Sequence, residues 1–248
     1  IYRILLSAKA GVDSALLAKV AYDVLGANAI AVTAKAPIHA EEEIRQAKKM
    51  AQEIGIGHQI LEIDGALMEE IKDNPSDRCY YCKYKIFTHL QEFAGDCAVI
   101  DGTNADDVGD YRPGTQAIEE LGVRSPLQEA KLDKAEIRQL SKRLDLSTWD
   151  FPSTTCLATR FPYGEEISPE KLDLVERAED YLRQLGFEEL RVRYHCEVAR
   201  IEVAFEEQAK FFNLDRMEEI NQKLQEFGFD YVALDLGGYQ TGKLNKLD

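Results

Sequence analysis

Residues 4–17 read ILLSAKAGVDSALL, and the change of rhythm inside that stretch decides the fold class. Tyr2–Ser7 is a short apolar run of strand length, whereas from Ser14 to Leu25 leucine, valine and alanine recur at helical spacing. Between them lies Ser7-Ala8-Lys9-Ala10-Gly11-Val12-Asp13-Ser14, a strand-to-helix turn rich in small residues. Such a turn lets backbone N–H groups approach a phosphate, and the helix N-terminus adds partial positive charge. In that reading Ser14 caps the helix and reaches a phosphate oxygen, and Asp13 helps to hold Mg²⁺. The residues alone leave an ordinary β–α turn with a serine cap equally open.

The same alternation continues outward. Asn28–Thr33 reads as a strand, Ala40–Ile54 as an amphipathic helix, His58–Ile63 as a strand, Tyr81–Phe93 as a helix, Cys97–Asp101 as a strand and Lys134–Leu144 as a helix. Repeated β–α units imply an α/β fold, a parallel sheet with helices on both faces, with ligands beyond the carboxyl ends of its strands. Residues 146–167, LSTWDFPSTTCLATRFPYGEEI, break the rhythm with Pro152, Pro162 and Gly164. A domain boundary is expected there, dividing the chain into residues 1–148 and 149–248. The second part reads as helix Pro169–Leu185, strand Glu189–Tyr194, strand Arg200–Phe205, a helical pattern over Gln208–Phe227 and strand Tyr231–Leu236, a small α+β unit.

Charge and composition narrow the function. The 248 residues carry 30 basic and 45 acidic side chains, a formal net charge of −15. Nucleic-acid binding rests on Lys and Arg neutralising phosphates, so a large RNA or DNA footprint is disfavoured, while a small anion in a local basic pocket is not. No apolar run approaches the ~20 residues that cross a bilayer, and the opening IYRILLSAKAG has no signal-peptide core, so neither membrane insertion nor export is expected. The five cysteines, at 79, 82, 97, 156 and 196, are then read as reduced thiols in a cytoplasm.

Several residues carry chemistry. Cys79 and Cys82, in DRCYYCKY, sit one helical turn apart, as metal ligands, a redox pair or an accident of sequence do. A structural zinc site wants further ligands, for which His89 and His195 are candidates. The loop Asp101-Gly102-Thr103-Asn104-Ala105-Asp106-Asp107 follows a strand, as an Asx-rich turn or as part of a nucleotide site that includes Asp107. Arg191, Arg193 and His195 alternate along a strand and share one face, Val192 and Tyr194 share the other, and Arg200 and Glu202 follow on the next strand. They read either as a clamp for phosphate and carboxylates or as a solvated face with its own glutamate. Arg160, close behind Cys156, joins the anion candidates, and Arg112 and Arg124 face either substrate or a neighbouring subunit. Cys97 and Cys196 read as packing or incidental thiols.

Two resemblances sharpen this reading. GVDS after a strand resembles the end of the SGGxDS pyrophosphate loop of the PP-loop ATP pyrophosphatase superfamily, with Lys9 where that motif has Ser and Ala10 where it has Gly. RCYYCK, DGTNADDVGDYRPG, GVRSPL, TWDFPSTTCLATRFPYG, RVRYHCEVARIE and YVALDLGGYQTGKLN, in this order over nearly the whole chain, resemble the LarE family. That resemblance implies an ATP-dependent sulfur transferase that uses Mg²⁺ to adenylate pyridinium-3,5-biscarboxylic acid mononucleotide. It then makes thiocarboxylates for the nickel-pincer cofactor of lactate racemase. It implies nucleotide contacts at Lys9, Gly11, Val12, Asp13, Ser14 and Asp107, substrate contacts at Arg160, Arg191, Arg193, His195, Arg200 and Glu202, and catalytic roles for Cys156, Asp13 and Arg193. Members with a CxxC resemble this chain in a three-cysteine set, here Cys79, Cys82 and Cys156, implying a 4Fe–4S cluster that carries sulfide; members with the single cysteine sacrifice its sulfur. A homo-oligomer is implied as well. A PP-loop tRNA thiolase and a catalytically impaired zinc-binding relative are the alternatives.

Overall fold

The computed structural model describes residues 4–7, 11–107, 113–152 and 154–240, the first four by their backbone alone. The chain divides into two compact units, Ile1–Ile71 with Ser76–Thr154, and Lys72–Pro75 with Thr155–Asp248.

The first unit is built on strands β1 (Ile4–Ser7), β2 (Ala29–Lys35), β3 (Gly57–Glu62) and β4 (Ala98–Ile100), ordered β3-β2-β1-β4 and parallel at every pairing. A single bridge from Ile100 to Arg124 adds a further parallel rung beyond β4. Helix α1 (Val12–Leu25) buries Val12, Ala15, Leu16, Leu17, Ala18 and Ala21, small and branched side chains that let it lie close on the sheet. Helix α2 (Glu41–Ile54) turns Ile44, Ala47, Met50, Ala51 and Ile54 inward, with Glu41, Glu42 and Glu43 in its first turn where they complement the helix dipole. All of these apolar residues except Ile44 and Ala47 meet Ala29 and Ala31 of β2, Ile100, Ile137 and Leu146 in one cluster.

Helices α3 (Ala66–Ile71), α4 (Arg78–Ala94), α5 (Pro113–Glu120), α6 (Pro126–Glu129) and α7 (Lys134–Arg143) complete the unit. The sequence reading passes over α3, α5 and α6, which are too short for periodicity to emerge. A reciprocal capping box starts α7: Asp133 accepts from the Glu136 N–H at 2.8 Å, and Glu136 accepts from the Asp133 N–H at 3.1 Å. It fixes Lys134 as the first helical residue.

The second unit has strands β5 (Leu190–His195), β6 (Val198–Val203) and β7 (Tyr231–Leu234) in that order, β5 antiparallel and β7 parallel to β6. Helices α8 (Pro169–Gln184) and α9 (Leu214–Phe227) pack on it, burying Leu172, Val175, Leu182, Ile220 and Leu224 against Val192, Ile201 and Val203. The strand expected at Arg200–Phe205 runs instead over Val198–Val203, because the two-residue turn Cys196-Glu197 returns the chain at once. The helical pattern expected over Gln208–Phe227 is interrupted. A 3₁₀ segment, Phe205–Phe211, is followed by α9, and Asn213 starts the new helix by accepting from the Arg216 N–H at 3.1 Å. Lys72–Pro75 is stitched into this unit by Asn74, whose side-chain amide donates to the carbonyls of Pro162 at 2.6 Å and Phe161 at 3.2 Å.

Candidate functional site

In the first unit the start of α1 and the loop after β4 meet. Gly11 is the N-cap of α1, with extended backbone (φ −105°, ψ 162°) and no side-chain cap. Ser14 is therefore not the cap expected from the sequence; it lies in the first turn, three residues on, because the helix begins at Val12. The leading N–H groups of a helix have no intrahelical acceptor, so this end carries donors and partial positive charge. Lys9 lies outside the described residues, as does Arg112.

The β4 loop closes on that end. A methyl group on Gly102 would stand 3.3 Å from the Ser14 N–H nitrogen and 3.4 Å from Asp13 Cβ, so any larger residue there would have to displace the loop or the helix start by a few tenths of an ångström. Asp101, buried, accepts from the hydroxyls of Thr103 and Ser125, both at 2.5 Å. Asn104 is the hinge of the loop. Its N–H donates to Asp107 Oδ2 at 3.0 Å, its side-chain carbonyl accepts from the Asp106 N–H at 2.9 Å, and its amide donates to Asp13 Oδ1 at 3.2 Å. The second oxygen of Asp13 is paired with the Lys134 ammonium. Lys134 is held in place by its own N–H, which donates to Asp106 Oδ2 at 3.0 Å, and by the capping box around it. Gly11, Val12, Asp13, Ser14 and Asp107 thus share one locality with Asn104, which the sequence reading named only as part of the 101–107 loop, and with Lys134, which it missed. The basic residue opening α7 was the available signal, but it stands 121 positions from Asp13. Arg124 is exposed and forked onto Glu129.

The CxxC lies at the start of α4, Cys79 exposed and Cys82 buried, neither in a disulfide. Helix α5 packs beside this turn. A methyl group on Gly114 would come within 3.2 Å of the Cys79 carbonyl oxygen, and Tyr80, between the cysteines, donates from its hydroxyl to Glu120 Oε2 at 2.7 Å. That hydrogen bond, with the adjacent negative charge, pushes the Tyr80 phenol up to about 12. His89 shares its Nδ1 with the Lys85 carbonyl at 2.9 Å. Among the described residues no three His, Cys, Asp or Glu side chains gather as a metal-ligand set.

In the second unit Cys156 is the N-cap of the 3₁₀ turn Leu157–Arg160 and is half-buried and free. Its carbonyl accepts from the Thr159 N–H at 3.0 Å and from the Thr159 hydroxyl at 2.8 Å. The arginines named from the sequence are gathered nearby. Arg160 is 4 % exposed and Arg193 is 5 % exposed, while Glu202 is fully buried, so the β5–β6 face that carries Arg193 and Glu202 is not a solvated one. Arg160 donates to Glu179, Arg193 to Glu202, and Arg200 to both Glu202 and Asp235. Arg191 lies over the Tyr239 ring, 4.9 Å from its centroid. Burial, and next the charge of Arg160, lower the Arg191 pKa, so an anion brought close relieves a cation-rich corner. His195 is lowered by burial and then by Arg200, which favours the neutral ring, and its Nε2 is buried with no hydrogen-bond partner among the described residues. Cys196 is exposed in the β5–β6 turn at φ 45°, and Cys97, half-buried, precedes β4.

Residues 3–78 match the NAD synthase family. An uncharacterized protein of Synechocystis sp. is 49% identical over 248 residues, covering 99% of this chain and 92% of that one. The pyridinium-3,5-bisthiocarboxylic acid mononucleotide synthase of Lactiplantibacillus plantarum is 38% identical over 247 residues, covering 98% of this chain and 89% of that enzyme. An uncharacterized protein of Methanocaldococcus jannaschii is 31% identical over 242 residues, 96% of this chain and 91% of its own.

Proposed function

The chain belongs to the LarE family, and from that premise we propose that it is an ATP-dependent sulfur transferase acting on pyridinium-3,5-biscarboxylic acid mononucleotide. The observation that carries the proposal is Cys156 set in a turn held by buried Arg160, whose charge in turn bears on Arg191 in a cation-rich corner. The substrate bears a phosphate and two carboxylates, and Arg191, Arg200 and His195, with the unsatisfied Nε2 of the last, are the groups suited to meet them.

The reaction begins in the first unit. A carboxylate oxygen of the substrate attacks the α-phosphorus of ATP, pyrophosphate leaves, and an acyl-adenylate forms. The N-terminus of α1 over Gly11, Val12 and Ser14 would receive phosphate oxygens, with Lys9 and Lys134 supplying cations. Asp13 and Asp107 carry the hard oxygen donors that Mg²⁺ prefers, and a metal at Asp13 would take over from the Lys134 ammonium. A sulfur nucleophile then attacks the acyl carbon and AMP departs, leaving a thiocarboxylate; a second round converts the other carboxylate. Adenylation matters because a carboxylate oxygen is a poor leaving group and AMP is a good one.

The sulfur has two candidate sources. Cys79, Cys82 and Cys156 are in no disulfide, two of them lie on one helical turn, and thiolates are the donors that iron–sulfur clusters take, so these three would hold a 4Fe–4S cluster. When bound, such a cluster supplies one iron without a protein ligand, able to carry sulfide. The other source is the Cys156 sulfur itself: its thiolate would displace AMP to give a thioester, and loss of the Cα proton with cleavage of the Cβ–S bond would release the thiocarboxylate and leave dehydroalanine at position 156, so each chain would serve one transfer and the second round would need a second chain. Anaerobic purification with iron and sulfide analysis, followed by intact mass after turnover, decides between them. Unchanged mass with thiocarboxylate formed supports the cluster, and loss of one sulfur atom from an iron-free chain supports sacrifice of Cys156. Absence of any ATP-dependent thiocarboxylate overturns the proposal as a whole. The formal charge of −15 weighs against a tRNA thiolase, and no helix among the described residues is long and apolar enough to cross a membrane. A cytoplasmic homo-oligomer with sulfide as a second substrate completes the proposed reading.

A further inference from the structure

The turn that carries Cys156 is held from below by two arginines, and each arginine is held in turn by a buried carboxylate. Arg160 places Nε on Glu179 Oε1 at 2.8 Å and one terminal nitrogen on Glu179 Oε2 at 3.0 Å. Its other terminal nitrogen points into the turn, donating to the carbonyls of Thr155 at 2.9 Å and Cys156 at 3.2 Å and to the hydroxyls of Thr155 at 2.8 Å and Thr159 at 3.1 Å. Arg193 repeats the arrangement: Nε on Glu202 Oε2 at 2.9 Å, and a terminal nitrogen on the Thr159 carbonyl at 2.9 Å. Glu179 is itself fixed by the Val192 N–H at 3.0 Å and by Arg183 at 2.9 Å, which tie it to β5 and to its own helix.

We infer that Arg160 and Arg193, locked by Glu179 and Glu202, are positioning residues that set the place of the Cys156 sulfur, and that neither is a substrate ligand. The guanidinium is a rigid plane with its donors in fixed directions, so fastening one edge to a carboxylate fixes where the opposite nitrogen points. Here that nitrogen meets the backbone on both sides of Cys156. An ammonium cannot reproduce this, because it offers a single centre with no second edge. Both arginines are also deeply buried, and turning either toward a ligand would break its buried ion pair, leaving Glu179 to Arg183 alone or Glu202 to Arg200 alone. The catalytic part of this inference rests on the reading of Cys156 as the sulfur-transfer residue.

The test uses the full chain with Thr155→Val, which removes one acceptor from an exposed side chain and leaves the buried pairs whole, together with Arg160→Lys. Alkylation of Cys156 by iodoacetamide is followed by peptide mass spectrometry, with exposed Cys196 as internal reference, and kcat and KM are measured with the biscarboxylate mononucleotide. The expected result is a change of about threefold or more in the Cys156-to-Cys196 rate ratio in both variants, as access to the thiol changes. Thiocarboxylate formation should show kcat about tenfold lower with KM unchanged. An unchanged alkylation ratio overturns the inference, and so does a raised KM with kcat steady, which marks Arg160 as a substrate ligand. A Cys156→Ser chain that still transfers sulfur overturns the functional reading and the catalytic part of the inference with it. The alkylation ratio is independent of that outcome and decides whether the arginines place the thiol.

Discussion

The carboxylate of Glu179 receives two hydrogen bonds from Arg160, at 2.8 and 3.0 Å, at a site where Glu179 is 1 % exposed. Burial alone raises a carboxyl pKa; here the charge and hydrogen bonds of Arg160, followed by Arg183 and Arg191, outweigh it and hold Glu179 at about 2, against an ordinary 4.5.

Acid stability follows from that pair. A folded-state pKa below the unfolded value contributes stability that is present above about pH 4.5 and is lost as pH falls toward 2. The wild-type chain should lose about 3 kcal/mol through this window from Glu179 alone. Glu179→Gln should be less stable by about 3–5 kcal/mol at pH 7, because Arg160 is left buried without its counter-ion. Urea denaturation at pH 7 and near pH 2.5 checks both figures: the deficit must shrink in acid. A deficit of equal size at the two pH values would show that shape, rather than charge, is what the glutamate supplies.

Gly102→Ala should weaken ATP binding with little loss of fold. The added methyl meets the backbone nitrogen of Ser14 at 3.3 Å and the Asp13 and Ser14 side chains at 3.4 Å, so the start of α1 or the β4 loop must give by a few tenths of an ångström. Overpacking of this size costs about 1 kcal/mol in stability, visible as a small drop in Tm. The expected functional effect is an ATP KM raised about fivefold, since the helix end is displaced from where it receives phosphate. An unchanged KM would separate the β4 loop from the nucleotide site.

The cysteines make a prediction about metal. Cys79→Ser, Cys82→Ser and Cys156→Ser should each abolish retention of iron and acid-labile sulfide after anaerobic reconstitution, whereas Cys97→Ser and Cys196→Ser should retain both. Gly114→Ala is the subtler probe: its methyl would stand 2.7 Å from the Lys83 side chain and 3.2 Å from the Cys79 carbonyl oxygen, so Lys83 and the packing of α5 on the CxxC turn must both adjust. Faster loss of the visible absorption in air, with iron content initially normal, is the expected outcome. Full iron retention in the Cys156→Ser chain would reduce the ligand set to the CxxC and remove the third thiol from it.

Long-range partnership, rather than local pattern, is what the sequence concealed. Helices α1, α2, α4 and α8 were legible because their apolar residues keep helical spacing over more than three turns, and the β–α alternation announced a parallel sheet. Ser14 was misread as a cap because nothing local reveals that Gly11, with extended backbone, already starts the helix. The break at Asn213 was hidden because the apolar residues on its two sides keep a helical rhythm. Glu179 was invisible for a different reason. A glutamate in an amphipathic helix reads as solvent-facing, and only the fold shows that Arg160, 19 residues earlier, turns it into a buried strut. Arg191, Arg193 and His195 were found by strand alternation, but which arginines are engaged by carboxylates depends on β6 and α8.

Lys134 supplies the sharpest test of the nucleotide site. Its ammonium pairs with Asp13, yet the pair is partly open to solvent, where such pairs contribute at most about 1 kcal/mol. The surrounding construction is more elaborate than that return requires: a capping box fixes the helix start, and Asp106 accepts from the Lys134 N–H. The geometry therefore suits a cation delivered to the α1 N-terminus, beside Asp13, for a developing pyrophosphate. Lys134→Ala removes that charge while leaving the backbone hydrogen bond and the capping box in place, so α7 should remain folded and Tm nearly unchanged. Pyrophosphate release in the presence of ATP and the biscarboxylate mononucleotide should fall about 100-fold. Lys134→Arg should restore part of it, since the charge returns on a longer, planar group. Asp13→Asn distinguishes the two roles of the pair: if Asp13 holds Mg²⁺, its loss should be partly offset by raising the Mg²⁺ concentration, and the loss of Lys134 should not. Pyrophosphate release at the wild-type rate in Lys134→Ala would reduce the lysine to a counter-ion for Asp13.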